Sequence, residues 1–185
     1  FRCGTDGVIS VHDLPSFNQH MTLAKTRGCA CFDVDATRSP VRLAAAVKKK
    51  LVVFAWQDGA FVEVRELTLP DVPKTVVWCG DSVCVGLRKD YCMVHLQSGT
   101  VTEMFSTGKS MQPLVTGLPG QQILVGKDYT SMFLGYDGRK TRDFGLTWSE
   151  IPAVVGFYYP YVIGVLSKTV EVRSVAGSGS KVSVQ

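Results

Sequence analysis

The sequence predicts an all-β fold, a β-propeller of four-stranded antiparallel blades, and three observations carry that prediction. Val76 to Phe105 packs four short apolar runs, Val76–Trp78, Val83–Leu87, Tyr91–Leu96 and Val101–Phe105, between turn signals. Their β-branched and aromatic residues suit a pleated surface, while Gly80-Asp81-Ser82, Arg88-Lys89-Asp90 and Ser98-Gly99 suit tight turns. The pattern also recurs: Gly99 follows Gly59 by 40 residues and Gly138 follows Gly99 by 39, each after Asp58, Ser98 or Asp137. Finally, Phe54, Val94 and Phe133 hold one apolar position five residues ahead of each glycine. A period of ~40 residues with four strands per unit marks a propeller blade, which cannot bury both faces of its sheet alone.

Taken in order, Gly7 to Leu14, a turn at Pro15 to Asn18, and Met21 to Lys25 read as the latter half of a blade. A complete blade follows in Gly28–Phe32, Val41–Val47, Leu51–Trp56 and Phe61–Leu69, then the stretch Val76 to Phe105. Pro113–Leu118, Gln122–Gly126, Ser131–Tyr136 and Arg139–Phe144 make the third. Ala153–Phe157, Tyr161–Leu166 and Thr169–Val175 begin another, and the Gly177-Ser-Gly-Ser180 turn falls 39 residues after Gly138. The expectation is a WD40-like partial ring of three full and two partial blades over residues 1–176, with 177–185 a turn and the start of a further strand or linker. An open arc exposes sheet edges to water, so the remaining blades are expected outside this stretch. Phe1-Arg-Cys-Gly likewise reads as the middle of a longer chain.

Composition excludes several classes. With 45% apolar and 19% charged residues, the 185-residue chain is neither disordered nor a membrane protein. No basic, apolar leader is visible. The longest uncharged stretch, Ile151 to Ser167, contains Pro152, Gly156, Pro160 and Gly164, and so reads as two strands joined at Tyr159-Pro160. Six cysteines (Cys3, Cys29, Cys31, Cys79, Cys84, Cys92) sit in strand-like runs and are expected buried and reduced, with Cys29 and Cys31 on one face of a strand. They form no zinc spacing, and no glycosylation sequon is present, which fits a cytosolic setting.

The distribution of charge is the functional signal. If turns alternate between the two ends of a ring, those joining second to third strands hold Lys48-Lys49-Lys50, Arg88-Lys89, Lys127 and Lys168. Lys74 and Lys109, in blade-to-blade connections, open on the same face, while the opposite turns carry Asp58, Asp81 and Asp137. Such a basic face either keeps turns soluble or docks an acidic protein or anionic membrane surface. Nucleic acid fits poorly, because the net charge is only +4 and the aromatics lie in strand interiors.

Motifs for chemistry are absent. Thr107-Gly108-Lys109-Ser110 mimics the end of a phosphate-binding loop, but Glu103 occupies the position that needs glycine. Asp33-Val-Asp35 suggests a metal site but reads as a solvated loop, because no further ligand stands nearby. His12, His20 and His95 lack metal or triad spacing. Trp56, Trp78 and Trp148 are expected between blades. No catalytic residue, metal, cofactor or small-molecule substrate is expected.

Several segments resemble one family. Val47-Lys-Lys-Lys-Leu51, Asp71-Val-Pro-Lys-Thr75, Val77-Trp78-Cys79, Ser82–Gly86, Arg88-Lys-Asp-Tyr91, Glu103-Met-Phe105, Thr107-Gly-Lys109, Pro113-Leu-Val115, Trp148-Ser149, Ile151-Pro-Ala153, Pro160-Tyr161 and Val170-Glu-Val-Arg173 are similar, in order, to the citron homology region of the vacuolar protein sorting 39 family. The resemblance runs from about Val8 to Val175. It implies an amino-terminal propeller, followed by an α-solenoid, in a non-enzymatic subunit of the HOPS tethering complex. That complex acts peripherally on late endosome, vacuole or lysosome membranes and engages a small Rab GTPase and fellow subunits. Related regions occur in a CORVET subunit, in kinases and in exchange factors. Propellers also host hydrolases, for which three or more Asp, Glu or His side chains on the axis would be the mark.

Overall fold

A computed structural model describes residues 1–175. The predicted Gly177 to Ser180 turn and the tail lie outside the described residues. Five antiparallel sheets follow one another along the chain. The first contains β1 (Arg2–Cys3), β2 (Ile9–His12) and β3 (Gln19–Leu23), and leads through a single 3₁₀ turn, Ala24–Thr26, to the second. That sheet is β4 (Cys29–Asp35), β5 (Arg42–Val47), β6 (Lys50–Gln57) and β7 (Ala60–Thr68). The third is β8 (Thr75–Cys79), β9 (Ser82–Gly86), β10 (Asp90–His95) and β11 (Val101–Ser106). The fourth is β12 (Val115–Leu118), β13 (Gln122–Lys127), β14 (Thr130–Gly135) and β15 (Lys140–Thr147). The fifth is β16 (Val154–Tyr158), β17 (Tyr161–Val165) and β18 (Val170–Ser174). Three complete blades flanked by two three-stranded ones are what the repeat predicts.

The sheets stack face to face, and the sequence of β5 and β6 explains why. In Arg42-Leu-Ala-Ala-Ala-Val47 and Lys50-Leu-Val-Val-Phe54, both faces are apolar rather than one. Leu43, Ala45, Val52 and Phe54 meet Ile9, Val11 and Leu23 of the first sheet. Ala44, Ala46, Leu51 and Val53 meet Val76, Trp78, Val83 and Val85 of the third. Cys84, Tyr91, Ile123, Val125 and Leu134 fill the next space, and Leu124, Phe133, Leu146, Trp148 and Val162 the last. Four cores between five sheets make each blade depend on its neighbours.

The first strands of the complete blades line the inner side, with β4 packing on β8, β8 on β12 and β12 on β16. Polar side chains tie these inner strands together. The Trp78 amide donates to the Asp33 carboxylate at 2.9 Å and its indole N–H to the Asp33 carbonyl at 3.1 Å. Thr116 Oγ1 donates to the Val155 carbonyl at 2.7 Å. Deeper in, the buried Tyr91 hydroxyl donates to the Gly126 carbonyl and accepts the Leu114 amide at 2.9 Å. Trp78 and Trp148 are buried between sheets as predicted, and Trp56 is half-buried against Phe61.

Three expectations are corrected. Cys29 and Cys31 do not share a face: a bulge between them turns Cys29 toward the first sheet and Cys31 toward the third. Cys3 is exposed, because its short strand β1 lies at the edge of the first sheet, although all six thiols are free. Asp33 and Asp35 lie in strand β4, where Asp35 is buried and Asp33 half-buried, rather than in a solvated loop. No helix among the described residues is long and apolar enough to cross a membrane.

Candidate interaction surface

One end of the stack is built from turns between second and third strands, alternating with connections between sheets. Lys49 Nζ, in the β5–β6 turn, lies 3.4 Å from the Pro70 carbonyl and 3.7 Å from Asp71, in the connection to β8. In the β9–β10 turn, the Arg88 and Lys89 carbonyls accept the Thr107 hydroxyl and amide, at 2.9 and 2.7 Å. Thr107 begins the next connection. Further along that connection, Ser110 N donates to Asp128 of the β13–β14 turn at 2.9 Å, and the Tyr129 carbonyl accepts the Trp148 amide at 2.8 Å.

These links place Lys48, Lys49, Lys50, Arg88, Lys89 and Lys127 along one end of the stack, all exposed. Lys168 is exposed in the corresponding β17–β18 turn, and Lys74 and Lys109 in the connections. Thr107-Gly108-Lys109-Ser110 belongs to this surface and precedes a strand, so it makes no phosphate loop of the strand-to-helix kind.

Positive charge is uneven along this end. Between the 3₁₀ turn and the β5–β6 turn lies a groove of about 540 Å³, lined by Lys25, Arg27, Lys48, Lys49 and Lys50, with Glu66 the acidic residue in its lining. The next groove, about 470 Å³, sets Lys89 against Asp71, Asp90 and Glu103. Lys25 and Arg27 were missed in the sequence, although their place in a blade-to-blade connection matches that of Lys74 and Lys109.

The opposite end is not simply acidic. Asp81 pairs with Arg38 at 2.5 Å and with Arg42 at 3.4 Å, and Arg42 also reaches the buried Asp35 at 2.7 Å. The Arg42 guanidinium covers the Trp78 ring, 4.3 Å from its centroid. Asp33, Asp35 and Asp81 line an inner cavity of about 790 Å³ with Thr37, Trp78 and Tyr136. Burial pushes the Asp33 carboxyl up, against the hydrogen bonds from the Trp78 and Val34 amides. Burial would also raise Asp35, but hydrogen bonds from Arg42 and Thr37 hold it below the usual carboxylate range. Among the described residues no group of three or more His, Cys, Asp or Glu is arranged to hold a metal ion.

The family model of the CNH domain matches residues 1–183. The chain belongs to the CNH domain family. Its sequence is 37% identical over 173 residues to a Vam6/Vps39-like protein of Homo sapiens, covering 90% of this chain and 20% of that protein. It is 32% identical over 166 residues to vacuolar sorting protein 39 of Arabidopsis thaliana, covering 89% of this chain and 16% of that protein. This CNH chain therefore spans a fifth or less of these relatives' length. Among solved structures it is similar to the AfRom2 CNH domain, with a TM-score of 0.65 at 13% identity over 89% of this chain and 56% of the other. That likeness supports the propeller-like architecture seen in the stacked sheets.

Proposed function

We propose that this CNH chain is a non-enzymatic protein-interaction module within a subunit of a membrane-tethering complex. The complex serves late endosome to vacuole or lysosome traffic, peripherally on the cytoplasmic side of those membranes. Lys48, Lys49, Lys50, Arg88, Lys89, Lys127 and Lys168 form the docking face for a small Rab GTPase and partner subunits. The observation that carries the reading is the presence of a cation-bearing turn at one end of four successive blades. The vacuolar sorting relatives support it. Clustered charge of this kind raises encounter rates and is screened by salt.

The test is capture of a late-endosomal Rab GTPase and of tethering subunits by the full chain and by a Lys49→Glu, Arg88→Glu, Lys127→Glu variant. Capture should fall sharply in the variant and weaken with salt in the parent. Equal capture by both at low salt would remove this face from the reading.

A hydrolase has one observation in its favour, the three aspartates lining the inner cavity. Two of them, Asp35 and Asp81, are held by arginines and so are poorly placed for proton transfer or nucleophilic attack. Turnover of a glycoside or lactone that disappears in Asp33→Asn would favour this second reading.

A further inference from the structure

We propose that the groove at the junction of the first and second sheets binds a phosphate-bearing lipid headgroup of a membrane surface. The inference rests on the reading of the turn-bearing end as the docking face, and it assigns one part of that face to lipid.

The charge contrast between neighbouring grooves selects the site. Five cations against Glu66 line the first groove, whereas Lys89 in the second is outnumbered by Asp71, Asp90 and Glu103. Equivalent turns therefore differ in what they can attract. Three cations of the first groove are paired with acids: Lys25 with Glu63 and Lys50 with Glu66, both at 2.6 Å, and Lys49 with Asp71 at 3.7 Å. Arg27 stands 3.9 Å from Asp6, and Lys48 has no ion-pair partner among the described residues. The groove thus keeps Lys48 unpaired and Arg27 only loosely paired, which leaves positive charge for an anion from outside.

Lys48 adopts φ of 53°, a conformation more readily taken by Gly or Asn. At about 540 Å³ the groove has the size of a small-ligand site. Val47 and Val52 give it an apolar floor.

A bilayer is favoured over an acidic protein by what stands further along the same end, beyond the third sheet. Met111 and Tyr129, 42% and 53% exposed, stand at the same end, in a connection and a turn that also carry Lys109 and Lys127. Basic residues with isolated amphipathic or apolar side chains among them make the composition that settles at a headgroup interface.

The test uses protein-free vesicles, so that it is separate from partner capture. The full chain is floated with neutral vesicles, with phosphatidylserine vesicles and with vesicles carrying a phosphorylated inositol lipid, and is titrated with soluble inositol phosphate. The expected result is preference for the phosphoinositide vesicles, with binding cut roughly tenfold or more by Arg27→Glu with Lys48→Glu and little changed by Lys140→Glu, an exposed lysine outside the docking face. Met111→Ser with Tyr129→Ser should weaken vesicle binding but not binding of the soluble headgroup. Retained melting temperature shows that each variant folds. Absence of vesicle binding, or equal loss in Lys140→Glu, would overturn the proposal. Partner capture surviving that failure would leave the protein-docking reading standing.

Discussion

Trp78 and Asp33 lie in the inner strands of adjacent sheets, 45 residues apart, and are joined twice: amide to carboxylate at 2.9 Å and indole to carbonyl at 3.1 Å. Replacing the carboxylate leaves a half-buried amide without its acceptor. Asp33→Ala should therefore destabilise the chain by ~1–3 kcal/mol in urea unfolding, and Asp33→Asn by less because it keeps an oxygen acceptor. Equal effects of the two substitutions would show that the amide finds another partner.

Glu171 and Arg173 are both buried, with side chains 6% exposed, and are paired at 2.5 Å. Glu171 also accepts from Ser149, and Arg173 donates to the Thr147 carbonyl at 3.0 Å. Removing one partner strands a charge. Glu171→Leu should cost ~3–5 kcal/mol, while Glu171→Leu with Arg173→Met should recover most of it, since an apolar pair avoids the desolvation of both charges. A double variant no better than the single would argue that Arg173 is stabilised independently of Glu171.

A β-carbon on Gly164 would come within 2.6 Å of the Trp148 ring, whereas at Gly156, one strand over in the same sheet, it would meet nothing within 4 Å. Gly164→Ala should cost ~1–3 kcal/mol by overpacking, and Gly156→Ala should be close to neutral. Comparing the two melting temperatures tests the packing of the fourth sheet on the fifth.

The pH dependence follows from Asp35. Its carboxyl is held below the usual range by Arg42 and Thr37 despite burial, so the unfolded chain binds its proton more readily. Its contribution is present above the ordinary pKa of about 4 and is lost as pH falls through the lowered value. Parent stability should thus converge on that of Asp35→Asn as the solution is acidified. A stability gap that stays constant into that range would contradict the assignment.

Much of the fold was legible because a propeller repeats its instructions: Gly59, Gly99 and Gly138 mark the same hairpin in successive blades. The both-faces-apolar runs at Leu43–Ala46 and Leu51–Phe54 similarly signal a sheet covered on two sides. Long-range pairing was not legible. Nothing in Asp33-Val-Asp35 points to Trp78 or Arg42, so strand residues looked like loop chemistry. The bulge at Cys29 to Cys31 breaks the two-residue alternation on which a face assignment depends. The cations of the turns were visible, but the acids gathered around Lys89 come from β10, β11 and the connection before β8, and only folding brings them together.

Lysine footprinting of the full chain, with and without its captured partner, tests most directly whether the basic turns act as one surface. An amine-reactive label should be excluded together from Lys48, Lys49, Lys127 and Lys168 when the partner binds. Exposed Lys140, at the start of β15 near the other end of its sheet, should remain reactive. Protection of Lys140 with the turn lysines left open would contradict the proposed docking face.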